Sequence, residues 1–529
     1  MAGEEDEKRA ERMRRARDLA AARGMPAPGA PPPAAAPPAS AKPATPSPQA
    51  AKADQGNGGL GLLDMIVGLF KPKPAAPPPP TQPVNTVEAT AFTVVVAALA
   101  GDADGAAANY LNQALSARPS LKVKALGRVF QLDNMEDPSL VSSVVLNSRH
   151  AVVEEDADLL VWGDFSKEGY RLRLATAATD DERAATFGPT TRIELPKDFA
   201  EPASNLLFAA VLAAMDPASE AQKAAIRRLL PAAAVAAEAL AAKPPVQLTM
   251  GQQRSVQLVF GHVATATALA SLSDEATPWF DKAANAYRQA QRRLARTDPG
   301  WEAGLLHKHL AACIGARAER QKENAAPLWE EAIKEWRSAA ETLPRALMPQ
   351  EWASSQVRLG VGLFRLDLLT GQTELLREAL QALQATLQVY SRTETPARWA
   401  EIMNTIAQVL EVYGDQMKNT EVLKRAVDTC HSVLEIRTRE RTPLAWAATQ
   451  NTLGSALFML DRHGTGTAHL AEAETALAGA LEVFQAHGAK GPAKVAAKNL
   501  SHVRKLLESR KGRQVVEPHW LDDPGDGRR

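Results

Sequence analysis

Pro349-Gln350-Glu351-Trp352-Ala353, Pro396-Ala397-Arg398-Trp399-Ala400 and Pro443-Leu444-Ala445-Trp446-Ala447 share one frame, Pro-x-x-Trp-Ala, and their tryptophans stand 47 residues apart. Self-similarity at a fixed period marks a fold of stacked units, each too small to bury its apolar face alone. Folds of this kind present extended surfaces to other molecules, so the period bears on function as well as on shape.

Aligning on the tryptophans gives the unit its internal structure. Proline is tolerated at the first position of a helix, where its missing N–H would be unpaired anyway. Thr395 and Thr442 precede two of the prolines and are expected to cap that helix. Leu359, Ile406 and Leu453 form one apolar column, and Leu363, Leu410 and Leu457 another. Between them lies a small-residue column, Gly360, Ala407 and Gly454. A glycine inside a helix costs about 1 kcal/mol relative to alanine, so the column implies a close helix crossing. A polar loop follows, and Thr373, Thr420 and Thr467 are expected to cap a second helix carrying Leu376, Leu423, Leu470 and Ala379, Ala426, Ala473.

Each unit therefore reads as helix, loop, helix. Gln450-Asn451-Thr452-Leu453-Gly454-Ser455-Ala456-Leu457 and Ala471-Glu472-Ala473-Glu474-Thr475-Ala476-Leu477 resemble the tetratricopeptide repeat, whose first helix carries Leu-Gly and whose second carries a small alanine. The family unit has 34 residues, and the longer unit here resembles the elongated variants of bacterial repeat proteins. The resemblance implies a right-handed solenoid whose first helices line a concave groove for a peptide or partner helix. Gln356, Asn404, Gln450 and Asn451, polar residues of first helices, are the groove candidates. Degenerate units flank the clean ones: one from Gln252 to Arg296, one led by Pro299-Gly300-Trp301, and a polar cap helix restarting at Pro492.

Upstream the composition changes. The segment before Val87 has a single aromatic, Phe70, and many of the chain's 36 prolines. It cannot bury enough apolar surface to offset chain entropy and reads as a disordered arm. Within it, residues 4–23 form a charged helical stretch. Leu60 to Phe70 is a short apolar island, with Leu63, Ile66 and Phe70 as its docking side chains. Eleven residues are too few to span a bilayer, which leaves docking on a protein or peripheral contact with a membrane. The first residues lack the basic and apolar regions of a signal peptide, so a cytoplasmic location is expected.

From Ala91 to Met215 the pattern alternates. Phe92 to Leu99 is a buried strand, Gly105 to Ala117 a helix, Leu121 to Leu126 a strand and Pro138 to Val152 a helix. Asp158 to Phe165 and Tyr170 to Ala175 are strands joined by a short hairpin turn, Thr191 to Leu195 is a further short strand, and Phe199 to Met215 a helix. Ala157-Asp158-Leu159-Leu160-Val161-Trp162-Gly163-Asp164-Phe165, with Tyr170-Arg171-Leu172-Arg173-Leu174 after the turn, resembles the N-terminal domain of TolB-like and FlgO-like proteins. That resemblance implies a non-catalytic interaction or assembly domain.

The fold expected is thus mostly α. A disordered Pro/Ala-rich arm (1–86) leads to a small mixed α/β domain (87–216) and a helical connector (217–245). An α-α helical-repeat solenoid with a cap helix (246–512) and a disordered tail (513–529) follow.

Few residues suggest chemistry. Asp102-Ala103-Asp104-Gly105 after a strand matches the way haloacid-dehalogenase-like phosphatases place a nucleophile and an acid/base beside Mg²⁺, and Asp180-Asp181 offers a second pair. Helix capping by these aspartates is the reading favoured by the domain's short length and its hairpin order. Cys313 and Cys430 lie in helical patterns, outside any C-x-x-C pair. Cys430 falls in the column of Leu383, which marks it as a buried apolar position and fits a reducing compartment. His307 and His309, and His463 with His469, read as solvent-facing. Gly464-Thr465-Gly466-Thr467 reads as a loop between helices, and the tryptophans as packing. With 61 basic and 61 acidic residues, no global charge points to nucleic acid. The expectation is a non-enzymatic protein-interaction scaffold that needs no cofactor or metal. The alternatives are a Mg²⁺ phosphatase using Asp102 and Asp104, or a peripheral membrane organiser.

Overall fold

The structure, a computed structural model, describes residues 92–177, 184–217, 219–271, 273–321, 325–463 and 467–514. The expected charged helix 4–23, the island with Leu63, Ile66 and Phe70, the Asp180-Asp181 pair, the loop at 464–466 and the C-terminal tail lie outside these residues. The described chain forms two compact units, one through Ser391 and one from Arg392.

In the first unit, β1 (Phe92–Ala98), β2 (Leu121–Val129), β3 (Leu159–Ser166), β4 (Gly169–Ala175) and β5 (Ile193–Leu195) form one sheet in the order β2-β1-β3-β4-β5. β1 runs parallel to β2 and β3. Parallel neighbours need a crossover, and helices α1 (Ala106–Ser116) and α2 (Pro138–Glu154) supply the two required here. Asp137 starts α2 by accepting from the Ser139 and Leu140 amides, with Pro138 at the first position. The hairpin turns at Lys167-Glu168-Gly169, as the sequence predicts. Gly169 has a φ of +117°, and a Cβ there would stand 2.1 Å from the Leu195 carbonyl oxygen, so only glycine allows β5 to approach. Val95, Leu160 and Trp162 on one face of the sheet pack against Ala151 and Val152 of α2. Helix α3 (Glu201–Ala214) then carries the chain into the helical region.

The rest of this unit is helical: α4 (Glu220–Ala242), α5 (Met250–Ala270), α6 (Ser273–Gln291), α7 (Gly300–Arg320), α8 (Ala325–Thr342), α9 (Pro349–Thr370) and α10 (Thr373–Thr386). Ser219 with Gln222, and Thr249 with Gln252, form capping boxes at the starts of α4 and α5. The second unit contains α11 (Pro396–Gln416), α12 (Thr420–Leu434), α13 (Pro443–His463), α14 (Ala468–Ala486) and α15 (Lys490–Gln514). The chain is mostly α, a helical-repeat fold preceded by a small mixed sheet domain.

Counting from the helix starts extends the small-residue column to five first helices: Gly261, Ala311, Gly360, Ala407 and Gly454 each stand eleven residues after the first residue of their helix. A Cβ at Gly360 would lie 2.7 Å from Leu383 Cγ and 3.1 Å from the Ala379 carbonyl oxygen. At Gly454 the corresponding distances are 2.5 Å to Leu477 and 3.0 Å to Ala473. Each column therefore marks the crossing of a first helix with its own second helix. Cys430 is buried in the position of Leu383 and Leu477, as the alignment predicts. α15 closes the second unit, burying Leu500 and Val503 and turning Lys494, Ser501 and Lys505 to solvent.

The threonine caps are a correction. Thr395 makes no side-chain cap bond, and the Thr442 hydroxyl donates back to the Thr438 carbonyl. Neither α10 nor α14 has a side-chain cap bond from its N-cap residue, and Asn419, not Thr420, caps α12. At α14, Asp461 reaches across from α13 to accept from the His469 and Leu470 amides. Thr373 and Thr420 already lie inside the first turn, and Thr395 and Thr467 hold the N-cap position with ψ of 58° and 4°, outside the extended range that aims a cap side chain at the free amides.

Candidate functional site

A surface with binding geometry lies in the first unit, where the first helices α5, α7 and α9 meet the α/β domain. The chain from Phe187 to Leu195 crosses all three, turning at Gly188–Thr191, where the Thr191 amide donates to the Gly188 carbonyl, and then running extended into β5. On α5, Ser255 Oγ accepts from the Glu194 amide at 2.9 Å and donates to the Arg192 carbonyl at 2.9 Å. These two backbone groups are on the edge of β5 that does not face β4, so one serine seals the end of the sheet. Gln252 Nε2, also on α5, donates to the Glu168 carbonyl in the hairpin turn at 3.0 Å.

Charge fixes the register along this surface. Arg192 pairs with Glu302 of α7 at 2.6 Å, and Glu302 also holds Arg254 of α5, which in turn pairs with Asp298. Farther along, the Thr190 hydroxyl donates to Glu351 of α9 at 3.1 Å, and Lys308 of α7 pairs with the other oxygen of Glu351. Trp301 Nε1 donates to Glu136 at 3.2 Å, and the Arg192 guanidinium sits 5.8 Å from the Trp301 ring centroid.

Beneath this chain is an aromatic cluster. The Phe187 ring is centred 4.9 Å from His262, and His262 is centred 4.5 Å from His309. The Tyr287 hydroxyl lies 3.1 Å from His262 Nδ1, which is also 3.0 Å from the Leu258 carbonyl. Burial lowers His262 to about 4 and also pulls His309 well below the usual histidine range. His309 therefore corrects the solvent-facing expectation: it is half-buried and turned onto His262, while His307 bonds Glu335. His469 is half-buried and bonded to Asp461. Burial pushes the Cys313 thiol up to about 12 and raises Cys430 also, which suits packing and not reactivity.

In the second unit the first helices meet through a buried polar seam. Gln408 of α11 donates to Thr452 of α13 at 3.4 Å, and Ser455 of α13 bonds Glu411 of α11. Asn499 of α15 donates to Asn451 of α13 at 3.2 Å. Burial raises Glu411 to about 8, against the opposing effect of the Ser455 bond. The sequence candidates divide accordingly. Gln356 and Gln450 are half-buried on their first helices, whereas Asn404 is 8% and Asn451 1% exposed, placing both amides within helix packing.

The aspartates after β1 cap α1. Asp102 accepts from the Ala107 and Ala108 amides at 3.2 and 2.9 Å, and Asp104 from the Ala106 amide at 3.1 Å. Among the described residues, no cluster of three or more His, Cys, Asp or Glu has metal-binding geometry, and no helix is long and apolar enough to cross a membrane.

Two features escaped the sequence reading. Arg345, Arg392 and Arg439 lie seven residues before each repeat tryptophan, over rings centred 5.2, 5.4 and 5.6 Å away. Their 47-residue period was visible in the sequence. Trp301 has Leu294 at that position, and Arg192 of the α/β domain supplies the missing guanidinium. Glu411 could also be found by alignment, since it falls in a column otherwise occupied by Phe364 and Phe458.

No family model matches the chain, and no curated protein matches it. Among solved structures, one described as a circular tandem repeat protein with novel repeat topology and enhanced subunit contact surfaces is similar over 59% of this chain and 84% of its own, at 13% identity and a TM-score of 0.25.

Proposed function

We propose that this protein is a non-enzymatic interaction scaffold whose helical repeats receive an extended peptide or a partner helix. The observation that carries this reading is the seating of residues 187–195 on α5, α7 and α9. There, side chains of three successive first helices bind a turn and the strand that follows it, through the backbone at β5, the Arg192 guanidinium and the Thr190 hydroxyl. Repeat stacking offers the same kind of surface along its length. The α/β domain acts as an N-terminal cap, filling this face in cis and supplying Arg192 to Trp301. The capping bonds of Asp102 and Asp104 give those carboxylates a structural use and favour a domain without chemistry.

Affinity capture with the full chain and with a chain beginning at residue 87 tests the proposal. Partners retained by both, and lost when Gln356 and Gln450 are both replaced by arginine, support binding by the repeats. Partners lost with residues 1–86 alone would move recognition to the arm.

A further inference from the structure

We infer that residues 184–192 are a latch closed over the His262–His309 pair, and that acid releases this latch from the repeats. The inference rests on the geometry of the docked segment and not on the identity of any partner, so its failure and that of the scaffold reading are separable.

The latch covers the pair directly. Phe187 is 6% exposed and lies on His262, which is fully buried. The groups facing the two rings come from every element packed around them. α5 contributes the Leu258 carbonyl, α6 contributes Tyr287, and α7 contributes Lys308, with Cys313 beside Tyr287. The latch contributes the Thr186 backbone, and Glu351 of α9 is engaged by Lys308 and by Thr190 of the latch. The charge felt by both rings is that of Lys308, which has the sign of an imidazolium. A proton on His262 would place an imidazolium in a site shut off from water, with the Lys308 cation nearby. Lifting residues 184–192 exposes the pair to water and removes that conflict.

The direction follows from linkage. His262 is held at about 4 when closed, against an ordinary value of 6.5. Above pH 6.5 neither form takes up the proton, and the latch is at full strength. As pH falls below 6.5, only the open form binds the proton, so closure weakens. For His262 alone, these values shift the equilibrium toward the open form by roughly 30-fold at pH 5.

Hydrogen exchange on the full chain at pH 7.5 and pH 5.0, corrected for intrinsic rates, tests this. The reporter is the Thr191 amide, which donates to the Gly188 carbonyl at 3.0 Å, and the controls are the amides of β1 and α13. The expected result is a loss of Thr191 protection on the order of 30-fold at pH 5.0 while both controls hold, with most of that loss absent in His262→Gln. Equal Thr191 protection at both pH values overturns the latch. So does its loss in step with β1, or an undiminished acid response in His262→Gln. Should His262→Gln fail to fold, Phe187→Ala replaces it: Thr191 protection must already be lower at pH 7.5 and change less on acidification, and a response equal to that of the unmodified chain overturns the inference.

Discussion

The Thr190 hydroxyl donates to Glu351 Oε1 at 3.1 Å across 161 residues of sequence, joining the segment before β5 to the first turn of α9. With the Arg192–Glu302 pair it makes the α/β domain and the first repeats one packed body. Glu302 has 10% of its side chain exposed and answers two guanidinium groups, Arg192 and Arg254. Its removal leaves Arg254 with Asp298 alone and Arg192 with Glu194 at 3.8 Å, in a largely dry site. Glu302→Ala should therefore cost about 3 kcal/mol in urea unfolding of the full chain. A loss below about 1 kcal/mol would place this network among solvent-screened surface pairs.

The small-residue column makes a steric prediction. Gly454→Ala gains about 1 kcal/mol of helix propensity in an open position. Here the new methyl meets Leu477 Cγ at 2.5 Å and the Ala473 backbone oxygen at 3.0 Å. The backbone contact cannot be relieved by a rotamer change, so a net destabilisation of roughly 1–3 kcal/mol is expected in thermal melts. A rise in melting temperature would show that the crossing has slack.

Glu411 gives the second unit an alkaline sensitivity. Burial raises its carboxyl to about 8 from an ordinary 4.5. The folded form keeps a proton that the unfolded form releases between these values. The stability linked to this group is therefore fully present below pH 4.5 and is lost as pH rises toward 8. Glu411→Gln keeps the shape without the ionisation. Its stability relative to the unmodified chain should improve steadily from pH 5 to pH 8, by about 1.4 kcal/mol per unit at most. A difference independent of pH would mean that Glu411 ionises freely in the folded state.

Arg439 stands over Trp446 and pairs with Glu482 at 2.5 Å, but 46% of its side chain is exposed. Solvent screens both contacts, so Arg439→Ala should cost only about 0.5–1 kcal/mol in denaturant titration. A loss above 2 kcal/mol would make the Arg-Trp stack a principal tie between helices.

The repeat was legible because packing at a helix crossing acts column by column. Gly360, Ala407 and Gly454 announced the close approach, and Leu383 foretold the burial of Cys430. The strands of the α/β domain were legible from their apolar runs, and the Asp102–Asp104 caps from a strand followed by a helix start. Capping by Thr420 was misread by one residue of register, which periodicity does not resolve, whereas Thr395 and Thr467 hold the N-cap position in a backbone conformation that no periodicity reveals. His309 was misread because a residue beside a charged neighbour resembles surface until rings from earlier helices, here His262 and Tyr287, pack against it. Arg192 and Glu302, 110 residues apart, carry no shared period, so no pattern within the chain could join them.

Site-specific photo-crosslinking tests the central claim, recognition by the repeats. A photoreactive residue is placed at Gln450, half-buried on the first helix α13, in the full chain, and adducts are mapped by mass spectrometry after capture. The account predicts adducts to one recurring extended or helical segment of a partner, abolished when Gln356 on the first helix α9 is replaced by arginine. Adducts absent at Gln450 while a photoreactive residue at Phe70 of the arm captures the partner would contradict it.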